Sequence, residues 1–404
     1  MLWSKLLSYL VKSGDLTVTD AAGKAHKFGV AGQKPKSAIR LHDTRLHYQL
    51  FFYPEFYLGE AYMNGTLTME EGSLNDFIEL LAINASALGP NILEKISTRL
   101  APITQLLLQY NPLGVAQKNV APHYDISDKL YELFLDKDML YSCAYFTDQN
   151  NSLEQAQQDK IRHIAAKLRI EPGMRVLDIG SGWGGLAMYL TRKLGADVTG
   201  ISLSGEQVKK ATARVEAAGL QNNIRFLQKD YREITDSFDR IVSVGMMEHV
   251  GVGFYKQFFA KIRGLLKDDG NALIHCIGRF DGPGNTNPWL RKYIFPGGYA
   301  PALSEVTRIV EKSGLLMTDI EILRMHYAYT LHEWQNRFRQ NKEAVLKMYD
   351  ERFYRMWEFY LVSAEMEFSH MGTMVFHLQL TKKIDVLPLT RDYMVDGERK
   401  LGAA

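Results

Sequence analysis

Arg175-Val176-Leu177-Asp178-Ile179-Gly180-Ser181-Gly182-Trp183-Gly184-Gly185 is an apolar run that ends in four glycines within six residues. A buried strand that enters a glycine turn and then a helix near 184–194 opens a doubly wound sheet, because glycine lets the backbone approach a ligand where a helix begins. Downstream the alternation continues. Strands are predicted over 197–202, 224–228, 238–244 and 272–277, with helices over 204–218 and 254–266 between them. A helix over 302–313, a strand over 318–323 and a last, antiparallel strand over 374–381 complete an α/β, Rossmann-like sheet. Upstream, residues 13–66 read as short strands and turns, and 70–110 as helical. Asn111-Pro112-Leu113-Gly114 breaks that pattern and places a domain boundary within 111–122, which leaves a smaller N-terminal α+β domain over 1–115.

The 404 residues are 46% hydrophobic and 23% charged, which excludes a disordered chain, a collagen-like repeat and a disulfide miniprotein. A net charge of +2 gives no global field for nucleic acid. Two cysteines, Cys143 and Cys276, fit a reducing, cytoplasmic setting. No run reaches the roughly 18 apolar residues of a membrane span, and the opening residues lack the pattern of a cleaved leader. They do carry a stripe, Trp3, Leu6, Leu7, Leu10 and Val11, within a segment (residues 1–45) holding eight Lys or Arg against three Asp. Such a segment suits an anionic membrane surface or a core-facing helix with a solvated charged face.

The glycine turn has two parses. Gly180, Gly182 and Gly185 fit the dinucleotide G-x-G-x-x-G, and the same glycines after Asp178 fit the D-x-G-x-G-x-G of methyltransferases that use S-adenosylmethionine. A dinucleotide site expects an acid at the end of the second strand, where this chain reads Gly200-Ile201-Ser202-Leu203-Ser204. That weakens a nicotinamide cofactor without proving the alternative. The His residues are scattered and neither Cys forms a C-x-x-C pair, so no metal site is expected.

Around the turn, His123-Tyr124-Asp125-Ile126-Ser127, Tyr141-Ser142-Cys143-Ala144-Tyr145-Phe146, Glu248-His249-Val250-Gly251, His275 and Tyr293-Ile294-Phe295-Pro296-Gly297-Gly298 follow in order. Together they closely resemble the cyclopropane-fatty-acyl-phospholipid synthases, the mycolic acid cyclopropane synthases and the related fatty-acid C-methyltransferases. The resemblance covers residues 123 to about 382, and the N-terminal part resembles the accessory domain of the bacterial phospholipid enzymes. It implies a class I methyltransferase fold for a catalytic domain over 116–404, S-adenosylmethionine as donor, and a cis-unsaturated phospholipid acyl chain as acceptor. By motif position, Tyr141, Ser142, Asp178, Gly180, Ser181, Gly182, Trp183, Gly184, Ser202, Leu203, Ser204, Gln207, Asp230 and Tyr231 would contact the cofactor. A bicarbonate ion beside the alkene would be held by Cys143, Glu248, His275, Ile277 (through its backbone) and Tyr327. The family also implies a homodimer working at the inner face of the membrane. Ser181 stands where the family usually has Cys, and Ala364 where it usually has a helix Cys.

An alkene is a poor nucleophile, so the methyl must be presented close and in line. The resulting carbocation needs a dry, aromatic environment, for which Trp183 and Tyr145 are candidates, with the stripe Phe353, Met356, Trp357 and Tyr360 reading as plain core. Glu248 is the expected base, direct or through bicarbonate, with His275 and Tyr327 completing an anion pocket. A C-methyltransferase on the same lipid and a non-catalytic lipid-binding paralogue are the competing readings.

Overall fold

The computed structural model describes residues 2–88 and 126–403. The expected boundary over 111–122 and the motif residues His123, Tyr124 and Asp125 lie outside them. The described residues form two compact units, one drawn from Met1–Leu100, Thr286–Ile294 and Leu331–Gly372, the other from Ala101–Asn285, Phe295–Thr330 and Thr373–Ala404.

In the first unit, β1 (Asp15–Thr19), β2 (Ala25–Gly29), β3 (Lys36–Leu41) and β4 (Leu67–Glu71) form a sheet of order β2-β1-β3-β4. The opening helix Leu2–Leu10 buries Trp3 and Leu7, and Val11 just after it is buried too, so the apolar stripe is core. Lys12 N and Ser13 N donate to Asn84 Oδ1 at 2.7 and 2.9 Å and tie the segment to helix Leu74–Leu88. Tyr9, Tyr48, Phe52 and Tyr53 are the aromatic rings this unit leaves exposed. The helical pattern expected from residue 70 begins instead at Leu74. Glu70 and Glu71 end β4, and Ser73 starts the helix by exchanging hydrogen bonds with Asp76. On helix Glu351–His370, Met356, Trp357 and Tyr360 are buried, as core packing requires.

The second unit holds a seven-stranded sheet of order β10-β11-β9-β8-β5-β6-β7. Its strands are β5 (Arg175–Ile179), β6 (Asp197–Ser202), β7 (Ile224–Gln228), β8 (Phe238–Val244), β9 (Leu266–Arg279), β10 (Leu316–Leu323) and β11 (Thr373–Thr381). The run from β9 to β7 is parallel, and β11 is antiparallel to both β9 and β10. Each expected strand is present. β9 is longer than 272–277 because Lys267, Asp268 and Asp269 form an irregular lead-in where its register with β8 shifts. Leu177, Ile179, Ile241 and Ile274 pack to one side with Phe258, Phe259 and Ile262, while Val176, Val198, Val242 and Leu273 pack to the other with Ile161, Ile164 and Leu190. Burying both faces makes these strands nearly continuous apolar runs. The helices therefore leave only the carboxyl ends of the parallel strands free for a ligand. This is the class I methyltransferase architecture.

Candidate active site

At those carboxyl ends a cleft of about 1230 Å3, counting the part open to solvent, runs across β5, β6 and β8. Its wall includes Tyr141, Ser142, Asp178, Gly180, Ser181, Gly182, Trp183, Ser202, Leu203, Gln207, Asp230 and Tyr231, twelve of the fourteen residues the motifs assign to the cofactor. Gly184 and Ser204 serve the wall from behind. A Cβ on Gly184 would lie 2.6 Å from Phe226, so this glycine permits close helix–strand packing. Ser204 caps helix Gly205–Ala217 by accepting from Gln207 N. Gly182 is different. Its φ is +53°, and a Cβ there would meet nothing within 4 Å, which places open space beside the backbone.

Polar groups on the wall are arranged by short local bonds. Ser202 Oγ donates to Gln207 Oε1 at 2.9 Å and accepts from Ser204 N, so serine and glutamine occupy the position a dinucleotide site gives to an acid. Asp230 accepts from Arg232 through both oxygens, which fixes the turn that presents Tyr231. Trp183 Nε1 donates to Asp128 Oδ1 at 2.8 Å and its ring lies 5.0 Å from that of Tyr131. Asp178 is buried with Oδ2 unpartnered, and burial pushes its carboxyl up to about 7.

Lys160 also lines the cleft and was not expected from the sequence. It is 1% exposed, donates to Ser142 Oγ at 2.8 Å, and burial pushes its ammonium down to about 8. Its charge acts on Asp178, Cys143 and His275. It belongs to a wholly buried polar stripe on helix Leu153–Leu168: Gln157, Lys160, His163 and Lys167. Arg232 and His249 are further lining residues the motifs did not assign.

The five residues expected to carry the chemistry stand outside the cleft wall. Glu248 follows β8 in a short turn and accepts from Ile277 N at 2.6 Å through Oε1. Its Oε2 is buried without a hydrogen-bond partner, and burial pushes the carboxyl up to about 7. Because the Ile277 N–H serves Glu248, a ligand would meet Ile277 through its carbonyl, which also accepts from Cys276 Sγ. His275 is buried on β9, and desolvation with the charges of Lys160 and Lys167 pushes it down to about 3, so it is neutral near pH 7. The Cys143 thiol is buried and pushed well up by desolvation, so it is no thiolate. Thr330 Oγ1 accepts from Ala144 N at 3.0 Å, linking the Cys143 segment to the helix that begins His326-Tyr327.

Tyr145 does not fit the cation-facing role. Its ring is stacked between His163 at 4.2 Å and His326 at 4.6 Å, so both aromatic faces are covered. His163, Glu321 and His377 present ligand atoms within 4.8 Å of one another, a grouping that their sequence separation conceals. Lys167 Nζ already lies on Glu321 and 3.2 Å from His377 Nδ1, so an ammonium supplies the positive charge there.

The mycolic acid cyclopropane synthetase family matches residues 114–378, and a domain of unknown function matches 2–91. A probable fatty acid methyltransferase of Pseudomonas putida is 35% identical over 345 residues, 83% of this chain and 85% of that protein. The cyclopropane-fatty-acyl-phospholipid synthase of Escherichia coli K12 is 44% identical over 239 residues, 59% of this chain and 61% of that protein. The solved mycolic acid cyclopropane synthase CmaA1, complexed with SAH and CTAB, is 31% identical with a TM-score of 0.62 and covers 65% of this chain and 97% of that one. The glycine turn, the sheet order and these likenesses agree: the chain belongs to the mycolic acid cyclopropane synthetase family and is an S-adenosylmethionine-dependent methyltransferase.

Proposed function

We propose that the enzyme adds a one-carbon unit to the cis double bond of an unsaturated phospholipid acyl chain and closes it to a cyclopropane ring. The observation that carries this is Glu248, a buried carboxyl with one oxygen fixed by a backbone N–H and the other unpartnered. S-adenosylmethionine in the cleft supplies a sulfonium methyl. The alkene attacks that carbon, the carbon–sulfur electron pair stays on sulfur, and a cation forms on the second alkene carbon. A base then takes a proton from the new methyl, and the freed C–H pair closes the ring. With its carboxyl at about 7, Glu248 is matched to exchanging a proton near neutral pH.

Bicarbonate, where bound, supplies a base that exchanges its proton with water. Its holders would be Glu248, the Ile277 carbonyl, His275, Cys143 and Tyr327. The donor set suits an anion: Glu248 spends much of its time protonated near pH 7 and can then donate through the oxygen that has no partner. The acceptor lies in a bilayer, and among the described residues no helix is long and apolar enough to cross one. We therefore assign reversible surface docking to the exposed Tyr9, Tyr48, Phe52 and Tyr53, since aromatic rings favour the membrane interface.

A second reading is a methyl-branched or methylene product on the same lipid. It is favoured by Ala364 on helix Glu351–His370 and by the fatty acid methyltransferase named among the relatives. Incubation with unsaturated phospholipid vesicles and methyl-labelled S-adenosylmethionine tests both. Proton NMR of the recovered lipid distinguishes ring, branch and methylene, and an unlabelled lipid defeats both readings.

A further inference from the structure

Six polar side chains form a continuous run in the second unit: His163, Lys167, His275 and His377 are buried, and Glu321 and Glu398 are half-buried. His163 places Nδ1 2.5 Å from Glu398 Oε1 and Nε2 2.6 Å from Glu321 Oε2. Carboxylates only accept, so both ring nitrogens donate and His163 is an imidazolium. Glu321 also receives Lys167 Nζ. Burial alone would raise the Glu321 carboxyl, but His163 and Lys167 hold it down to about 2. Two anions and two cations therefore pair, and the Lys167 ammonium lies beside His377.

From that ammonium the proton positions follow without choice. A lysine ammonium only donates, so His377 Nδ1, 3.2 Å from Lys167 Nζ, accepts. A neutral imidazole that accepts at Nδ1 carries its proton on Nε2, and His377 Nε2 lies 2.8 Å from His275 Nδ1. His275 Nδ1 must accept in turn. We propose that Lys167 and His377 are positioning residues that fix the proton of His275 on Nε2, so that His275 offers its far nitrogen as a hydrogen-bond donor and never as a base. The role rests on His275 belonging to the reaction site as proposed above. A donor there suits an anionic base or the oxygen of a protonated one, and it leaves proton removal to Glu248 and its partner. Metal-ligand histidines are held in one tautomer by the same kind of outer partner.

Two measurements test this. Imidazole 15N spectra of the resting, histidine-labelled enzyme, assigned with His275→Gln and His377→Gln, read the tautomers without turnover. The expected pattern is a protonated Nε2 and bare Nδ1 for His275 and His377, with both nitrogens protonated in His163. A protonated Nδ1 on His275 overturns the proposal whatever the enzyme's substrate. The second measurement is methyl transfer to vesicles of monounsaturated phosphatidylethanolamine and phosphatidylglycerol. His377→Leu, which cannot donate to His275, is expected to lower kcat at least about tenfold with the S-adenosylmethionine KM within about twofold. His377→Gln can accept from Lys167 and donate to His275, and is expected to stay within about threefold of wild type. Equal losses in the two folded variants overturn the proposal, because packing alone would then explain them. Should His377→Leu not fold, the spectra of the wild-type protein still decide.

Discussion

Replacing Glu248 by Gln should make the enzyme slower and the fold more stable. The side chain keeps its shape, and its Oε1 can still accept from Ile277 N at 2.6 Å. What is lost is the ionisable group. Removing one electrostatic partner from a dry site raises a barrier by about 2–4 kcal/mol, or roughly 30- to 1000-fold in kcat. The stability effect follows from linkage. The folded carboxyl, at about 7, lies above its ordinary 4.5, so folding favours the protonated form. Below pH 4.5 both folded and unfolded chains are protonated and the group contributes nothing. As pH rises the unfolded chain ionises first and stability falls, levelling off above pH 7 after a loss on the order of 3 kcal/mol. Glutamine does not titrate and escapes that loss. Denaturant unfolding of both proteins at pH 4 and pH 8, with methyl transfer measured at pH 8, is the assay. The variant should match wild type at pH 4, exceed it by about 1–3 kcal/mol at pH 8, and bind S-adenosylmethionine normally. Wild-type turnover, or a stability difference that does not grow with pH, would refute the reasoning.

Gly182→Val should abolish S-adenosylmethionine binding in calorimetry while circular dichroism stays native, because its Cβ branches project into the open space beside the turn at a φ of +53°. Unchanged affinity would make the turn purely structural. Deleting residues 1–12 should destabilise the first unit rather than simply release the protein from membranes, since burial of Trp3 alone is worth about 3–5 kcal/mol. A truncated protein with an unchanged melting curve would contradict this. The double change Phe52→Ser and Tyr53→Ser should instead lower co-sedimentation with unsaturated phospholipid vesicles and leave the melting curve in place. Equal sedimentation would move the membrane contact elsewhere.

The seven strands of the large sheet were legible because the central ones, buried on both faces, read as apolar runs and the less buried edge strands β7 and β10 continue their alternation with helices, and the cleft was legible because its glycines and strand ends lie together in the chain. The opening helix was ambiguous for a physical reason. Trp3, Leu7 and Val11 give one periodicity whether the stripe meets lipid or protein, and only the sheet and helices packed on it show that it is core. The polar stripe of helix Leu153–Leu168 is concealed in the sequence for the complementary reason. Gln157, Lys160, His163 and Lys167 look like a solvated face, yet all are buried. The partners of His163 and Lys167, namely Glu321, His377 and Glu398, are contributed by elements more than 150 residues downstream. One local signal does point there. His163 and Lys167 stand four apart, a spacing at which like charges repel on an exposed helix. A helix that tolerates this pair as cations needs acids from elsewhere in the fold, and Glu321 and Glu398 meet that need. Pairing the buried His163 and Lys167 with the half-buried Glu321 and Glu398 also constrains the contacts beyond them. It fixes Lys167, and through His377 the ring of His275, more rigidly than a solvated lysine could, which is what the donor role proposed for His275 requires.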